Sequence, residues 1–132
     1  MTKLATRSEK LSNVLAWEFA PEEGYCRSTA TVTVEAGMDV GAVVVLAAGK
    51  YVWVEQADVA TLADDVRIVI DVNVNTTAAG DASLTLLGSE TAITPAFVNK
   101  AGLKFKDTLS AGEINTVVAK LNARGIRTTV RV

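Results

Sequence analysis

The stretch Gly49-Lys50 comes closest in this sequence to a phosphate-binding loop. That loop needs a further glycine five positions earlier, a Ser or Thr directly after the lysine, and a following helix. Val44 and Tyr51 occupy the two required positions here, and the residues that follow, YVWVE, have the composition of a strand. We therefore interpret Gly49-Lys50 as a turn that reverses the chain between two strands.

The series Asp71-Val-Asn73-Val-Asn75 resembles the start of a calcium-binding loop. Such a loop has Gly at its sixth position and Glu at its twelfth, whereas this chain has Thr76 and Ala82 there. Strand alternation places the three oxygen-bearing side chains on one face. The pattern is typical of a solvated strand face that enters a turn.

The sequence offers little for acid-base or nucleophilic catalysis. It contains no histidine, and Cys26 is its single cysteine, so a Cys-His pair and an intrachain disulfide are both excluded. The adjacent acids Asp64-Asp65 and Glu22-Glu23 are typical of solvated loops rather than of a glycosidase pair. We expect a protein that is not an enzyme and that holds no metal or cofactor.

Composition favours one folded domain of 132 residues that is rich in strands. Hydrophobic residues make up 49% of the chain, aromatic residues 5%, and the net charge is −2. This charge gives no general attraction to nucleic acid, and no apolar run is long enough to span a membrane. We also find no secretory leader, so we expect neither nucleic acid nor membrane as a partner.

Charge is unevenly distributed along the chain. Residues 1–28 are neutral overall, residues 29–98 have a net charge of −7, and residues 99–132 have a net charge of +5. Two interpretations remain open. Either the basic C-terminal part folds onto the acidic middle of the same chain, or copies dock acidic flank to basic flank around a ring.

Alternating or continuous apolar residues predict a series of strands from residue 29 onwards. The predicted strands are TATVTV (29–34), GAVVVLAA (41–48), YVWVE (51–55), VRIVIDVNV (66–74), SLTLLG (83–88), TAIT (91–94) and IRTTVRV (126–132). We expect SLTLLG and TAIT to pair with each other, and VRIVIDVNV to emerge at a sheet edge at its polar end.

One helix is predicted over about residues 111–124. Ser110 and Glu113 form a capping box at its start. An apolar stripe follows at Ile114, Val117, Val118 and Leu121. Gly125 supplies the left-handed stop.

Residues 1–28 show no sustained periodicity, so we interpret them as an extended N-terminal arm that precedes a single mainly-β domain over 29–132. Pro21 and Gly24 interrupt the segment, and its large apolar residues are isolated. The alternative is a short helix over residues 8–16 packed on its own domain. If the arm is separate, deleting residues 1–20 should leave the domain folded.

The order of these segments resembles the head decoration proteins of tailed bacteriophages, the family of the lambda decoration protein. The resemblance rests on GAVVVLAA, the turn into GKYVWVE, the small and polar spacer before VRIVIDVNV, the Thr/Ala-rich turn before SLTLL, and the ending LNARGIRTTV. It covers roughly half to three quarters of the chain. The N-terminal arm and the C-terminal end depart from the lambda protein.

The resemblance implies a small β-clip-like domain that acts as a structural protein of the virion. It implies homotrimers on the outside of the expanded head at three-fold positions, where they bind the major capsid protein and stabilise the shell. The protein would then reside on the capsid exterior, and in the host cytoplasm during assembly. The N-terminal arm would lie along the capsid protein.

Two groups of residues are predicted to make contacts on this interpretation. The candidate capsid-binding residues of the arm are Leu15, Trp17, Phe19 and Tyr25. The candidate oligomer contacts are Trp53, Arg67, Lys104, Arg124 and Arg127. The alternative function is a small-molecule or carbohydrate-binding β domain of a phage structural protein, for which Trp53 would have to lie exposed in a concave cleft.

Overall fold

The computed structural model describes residues 14–18, 26–88 and 93–129, which form a mainly β fold with one C-terminal helix. The prediction of a mainly β fold with one C-terminal helix is therefore confirmed. The strands are β1 (Leu15–Glu18), β2 (Arg27–Val34), β3 (Val43–Ala47), β4 (Lys50–Trp53), β5 (Val66–Val69), β6 (Gly80–Leu87), β7 (Ala96–Asn99) and β8 (Ile126–Thr129), and the helix is α1 (Ala111–Ala123). Short 3-10 helices cover Gln56–Thr61, Val74–Thr76 and Lys100–Gly102.

Five strands close into a barrel in the order β2-β4-β3-β5-β6. The closing pair is β2 with β6, which run antiparallel from Arg27 opposite Leu87 to Val34 opposite Gly80. The link between β2 and β4 is parallel and has a single registered pair, Val32 with Tyr51. Alternation in β2 turns Val32 and Val34 into the core, as the period-two pattern predicts.

The predicted turn at Gly49 is confirmed as the β3–β4 hairpin. Ala47 pairs with Lys50, which leaves Ala48 and Gly49 as a two-residue loop. Both have positive φ, 53° for Ala48 and 85° for Gly49. A primed turn needs this conformation at both central positions, and it matches the twist of the flanking strands.

The second sheet has the order β1-β7-β8. β1 runs antiparallel to β7, with a register shift between Leu15 and Trp17, and β7 runs parallel to β8. The inner face of this sheet contributes Ala96, Val98 and Ile126 to the core.

Helix α1 begins and ends as predicted. The Glu113 carboxylate accepts from the Ser110 backbone N–H at 2.8 Å, and the Ser110 hydroxyl accepts from the Glu113 N–H at 3.2 Å. Val117 and Leu121 are fully buried. Gly125 follows the helix with φ 94°, so a residue with a Cβ would be strained at this stop.

One strand prediction is wrong, and another is correct only over its first four residues. The described part of TAIT, Ile93-Thr94, is not a strand, and β6 pairs with β2 and β5 instead of with TAIT. The chain forms β7 two residues later, at Ala96–Asn99. VRIVIDVNV ends as a strand at Val69, because the Asp71 carboxylate accepts from the Asn73 and Thr85 backbone N–H groups and fixes a turn.

The predicted boundary between arm and domain at residue 28 also needs correction. Val14 has no exposed surface, its carbonyl accepts from the Asn99 N–H at 2.7 Å, and β1 belongs to the second sheet. Glu18 is buried and binds Arg27 at the start of β2. Residues 14–18 are therefore part of the folded body, and the alternative helix over 8–16 lies largely outside the described residues.

Candidate functional site

The outer face of the β1-β7-β8 sheet carries a row of three large side chains. Trp17 lies opposite Phe97, and Phe97 lies opposite Arg127, so the row crosses all three strands. All three are exposed, whereas the neighbours of Phe97 along β7 point into the core. The row is thus a direct product of strand alternation on a sheet with one solvated face.

The aromatic part of this row is held in a defined geometry. The ring centroids of Trp17 and Phe97 lie 5.9 Å apart with planes inclined at 53°, which is within the range of favourable aromatic pairs. Trp17 is 49% exposed, Phe97 40% and Ile93 57%. Ile93 lies against Gly125, which precedes β8. We call Trp17, Phe97, Ile93 and Arg127 the outer-face patch.

The four candidate arm residues lie in different environments or outside the described residues. Trp17 is in the patch, and Leu15 is half-buried and packs against the core. Phe19 and Tyr25 lie outside the described residues. The segment that contains them starts directly after Glu18 and ends directly before Cys26.

The Glu18–Arg27 pair joins the end of β1 to the start of β2. The Arg27 Nε–H lies 3.1 and 3.2 Å from the two Glu18 oxygens, and Nη2 lies 2.5 Å from Oε2. Hydrogen bonding to Glu18 raises the pKa of Arg27, against the effect of burial. This bidentate contact fastens β1, and with it the Trp17 side chain, to the barrel.

Trp53 is buried, which corrects its prediction as an oligomer contact and removes the cleft required by the carbohydrate-binding alternative. It is 8% exposed, and its indole N–H donates to the Lys104 carbonyl at 3.2 Å. Lys104 in turn donates from Nζ to the Val40 and Gly102 carbonyls at 3.1 and 3.2 Å. Both side chains therefore tie the 102–104 segment to the barrel.

Arg67 also points inward, against its prediction as an oligomer contact. It is 5% exposed and lies over the Tyr51 ring at 5.0 Å. Its guanidinium donates to the Asp65 carboxylate at 2.9 Å, the Ser28 hydroxyl at 2.6 Å and the Gly88 carbonyl at 3.3 Å. A buried cation needs such a set of partners.

The Tyr51 hydroxyl donates to Asp65 at 2.8 Å and completes this cluster. Burial raises the pKa of Tyr51 to about 12, with help from the hydrogen bond to Asp65. Burial would raise the pKa of Asp65, but hydrogen bonds from Arg67 and Tyr51 outweigh it and lower that pKa. The cluster holds charge inside the fold, and neither Tyr51 nor Asp65 is poised to exchange a proton near neutral pH.

Arg124, another candidate oligomer contact, lies directly after α1. Its guanidinium binds the Asp65 carboxylate at a distance of 3.3 Å. Lys120 binds Asp64 at 2.6 Å, and hydrogen bonding to Lys120 lowers the pKa of Asp64. Lys106 binds Glu35 at 2.8 Å.

These contacts bear on the two interpretations of the uneven charge. Three cations of the basic C-terminal part contact acids of the middle of the same chain. The structure thus favours the folding-back interpretation for these groups. Arg127 is the one candidate oligomer contact whose side chain faces solvent.

A small open cavity of about 140 Å³ lies between the β3–β4 hairpin and the Gln56–Thr61 3-10 helix. It is lined by Val45, Leu46, Ala47, Val52, Asp58, Thr61, Leu62 and Ala63. Typical ligand pockets enclose roughly 300 to 1,000 Å³, so this one is small for a sugar or a cofactor.

Over residues 14–18, 26–88 and 93–129, no three metal-ligating side chains cluster together, and no helix has the length and apolar character of a membrane span.

Sequence reasoning missed Phe97 and Ile93. PAFVN gives only a weak strand signal, because β7 is four residues long and follows Pro95, and because its parallel partner β8 lies about thirty residues further along the chain. The available signal was the alternation of Phe97 between Ala96 and Val98.

No family model, curated protein or solved structure matches the chain.

Proposed function

We propose that the protein is a capsid decoration protein, a structural protein that binds the outside of an expanded phage head and stabilises it. The observation that carries the proposal is the Trp17–Phe97 pair, which leaves two aromatic side chains partly exposed on the outer face of the β1-β7-β8 sheet. Exposed, clustered apolar side chains on a small protein usually mark a protein–protein contact. The resemblance of the sequence to head decoration proteins supplies the identity of the partner.

Position along the chain supports a role for this sheet in capsid contact. Trp17 lies in the part of the sequence that the resemblance assigns to the capsid-bound arm, and residues 1–13 and 19–25 flank β1 on either side. In our revised proposal the arm is shorter than 1–28. Residues 1–13 reach along the capsid protein, and the outer face of β1-β7-β8 rests on it.

Stabilisation of the shell then follows from preferential binding. A protein that binds the expanded shell more tightly than its disassembled or unexpanded forms shifts the equilibrium towards the expanded form. A homotrimer at a three-fold position multiplies three modest contacts through effective concentration. A β-clip-type arrangement of the domain within the trimer is part of the same proposal.

Sedimentation with shells tests the proposal. The mass of the purified protein is measured alone, then after mixing with expanded and with unexpanded empty heads of the phage that encodes it. We expect saturable co-sedimentation with expanded heads only, and a rise in the temperature at which those heads disassemble. Absence of the protein from the expanded-head pellet at micromolar concentration would overturn the proposal.

A further inference from the structure

We infer that the outer-face patch binds an extended protein segment that carries an acidic side chain close to an apolar one. The inference deepens the proposed function, because it names the surface that meets the capsid protein and the chemistry of the segment that meets it. It rests on the patch geometry and on the charge of Arg127.

The spacing of Trp17, Phe97 and Arg127 across the sheet matches the side-chain spacing of an extended segment. Neighbouring strands are about 4.8 Å apart, so Trp17 and Arg127, two strands apart, are separated by roughly 10 Å at the backbone. An extended segment that crosses the strands places side chains on one side every second residue, roughly 7 Å apart. One apolar side chain can therefore pack between Trp17 and Phe97 while an acidic side chain two residues away reaches Arg127.

The positive charge of Arg127 predicts that the partner segment carries an acidic side chain. Within the described part of the chain, every other Lys and Arg has an ion-pair or hydrogen-bond partner in the fold, including Lys50 with Asp81 and Lys100 with Asn115. Arg127 has none there, and it is registered opposite Phe97, whose side chain is 40% exposed. A guanidinium next to an aromatic surface that excludes water forms a stronger pair with a carboxylate than a fully solvated one does.

The location of Arg127 on an edge strand supports the same partner. β1 and β8 are the two edges of the three-stranded sheet. A segment that enters over the β8 edge meets Arg127 first and the aromatic pair next. An acidic side chain that lies over Arg127 is attracted to the guanidinium, whereas a basic side chain is repelled there.

Shell binding by charge-reversed variants is the first test. Arg127→Glu and the matched control Lys100→Glu change the net charge equally, but Lys100 contacts α1 rather than the outer face. We expect Arg127→Glu to weaken binding to expanded heads by roughly tenfold or more, and Lys100→Glu by less than about twofold. Equal losses in both variants would overturn the inference while leaving the decoration function in place.

The contribution of the aromatic side chains of the outer-face patch is tested in the same shell-binding assay. Trp17→Ser and Phe97→Ser are compared with Val72→Ser, which removes an equally exposed apolar group outside the patch. We expect both patch variants to lose binding and Val72→Ser to retain it. Circular dichroism and thermal unfolding confirm that each variant is folded, so a loss of binding is not a loss of structure.

A peptide array needs no shell and separates the inference from the proposed function. The immobilised probes are twelve-residue peptides with the four-residue repeats Leu-Ser-Glu-Ser (Leu/Glu), Leu-Ser-Lys-Ser (Leu/Lys) and Ser-Ser-Glu-Ser (Ser/Glu), which place the two named side chains on one side of an extended chain, two residues apart. We expect the wild-type protein to be retained on Leu/Glu only, and Arg127→Glu to lose that retention. If the wild type were retained equally on all three or on none, the inference would fail, whatever the result with shells.

Discussion

Trp17 and Phe97 form an aromatic pair across β1 and β7, with ring centroids 5.9 Å apart, although Trp17 remains 49% exposed and Phe97 40%. The pair depends on two features distant in sequence. β1 is anchored by buried Val14 and by Glu18, which binds Arg27, and β7 is anchored through its parallel pairing with β8. A surface built from such fixed parts binds a partner without losing much conformational entropy.

Truncation of the N-terminus should separate the arm from the folded body. Deleting residues 1–13 should leave the free energy of unfolding almost unchanged. Deleting residues 1–18 removes buried Val14, strand β1 and the partner of Arg27, so we expect a loss of more than about 2 kcal/mol. The free energy of unfolding of both truncated proteins is measured by urea unfolding, monitored by circular dichroism. Equal stability of the two truncations would show that β1 does not contribute to the fold.

Gly88 should tolerate no side chain, because a Cβ there would lie 2.8 Å from two Arg67 side-chain carbons and because its φ is 151°. We expect Gly88→Ala to destabilise the protein by about 1–3 kcal/mol. Gly80→Ala is the matched control, since Gly80 also has a positive φ, 120°, but open space around it. A smaller loss for Gly88→Ala than for Gly80→Ala would contradict the packing of Arg67 described above.

Alkaline pH should destabilise the protein through Tyr51. Its pKa is raised from 10.0 to about 12, so the unfolded chain releases the proton first. The stabilisation is complete below pH 10 and is lost as the pH rises towards 12. We expect Tyr51→Phe to flatten the fall in stability between pH 10 and 12, measured by denaturant unfolding at each pH. An unchanged slope would show that Tyr51 ionises normally.

The hairpin turn offers a stabilising substitution. Ala48 has φ 53°, a conformation that costs a residue with a plain Cβ roughly 1 kcal/mol and that Asn adopts more readily. We expect Ala48→Asn to raise the free energy of unfolding by about 0.5–1 kcal/mol. Thermal unfolding measures the change. A decrease would mean that the turn does not hold this conformation.

Features set by short stretches of sequence were predicted correctly. The capping box, the apolar stripe and Gly125 define α1 within the stretch from Ser110 to Gly125, and the Gly49 turn is fixed by the two strands beside it. These signals are local, so no distant partner alters them.

Features that depend on distant contacts were missed. β1 and β7 are four residues each and exist because they pair with each other and with β8. Burial of Arg67 needs Ser28, Asp65 and Gly88 together, and residue type alone suggests a solvent-exposed cation. The outer-face patch was therefore only partly predictable, through Trp17 and Arg127.

The most direct test of the central claim is electron cryomicroscopy of expanded heads saturated with the protein. The account predicts density for three copies of the chain at each three-fold position, with Trp17 and Phe97 facing the capsid protein and residues 1–13 extending along it. Heads without added density, or density in which the β1-β7-β8 outer face points away from the shell, would contradict the account.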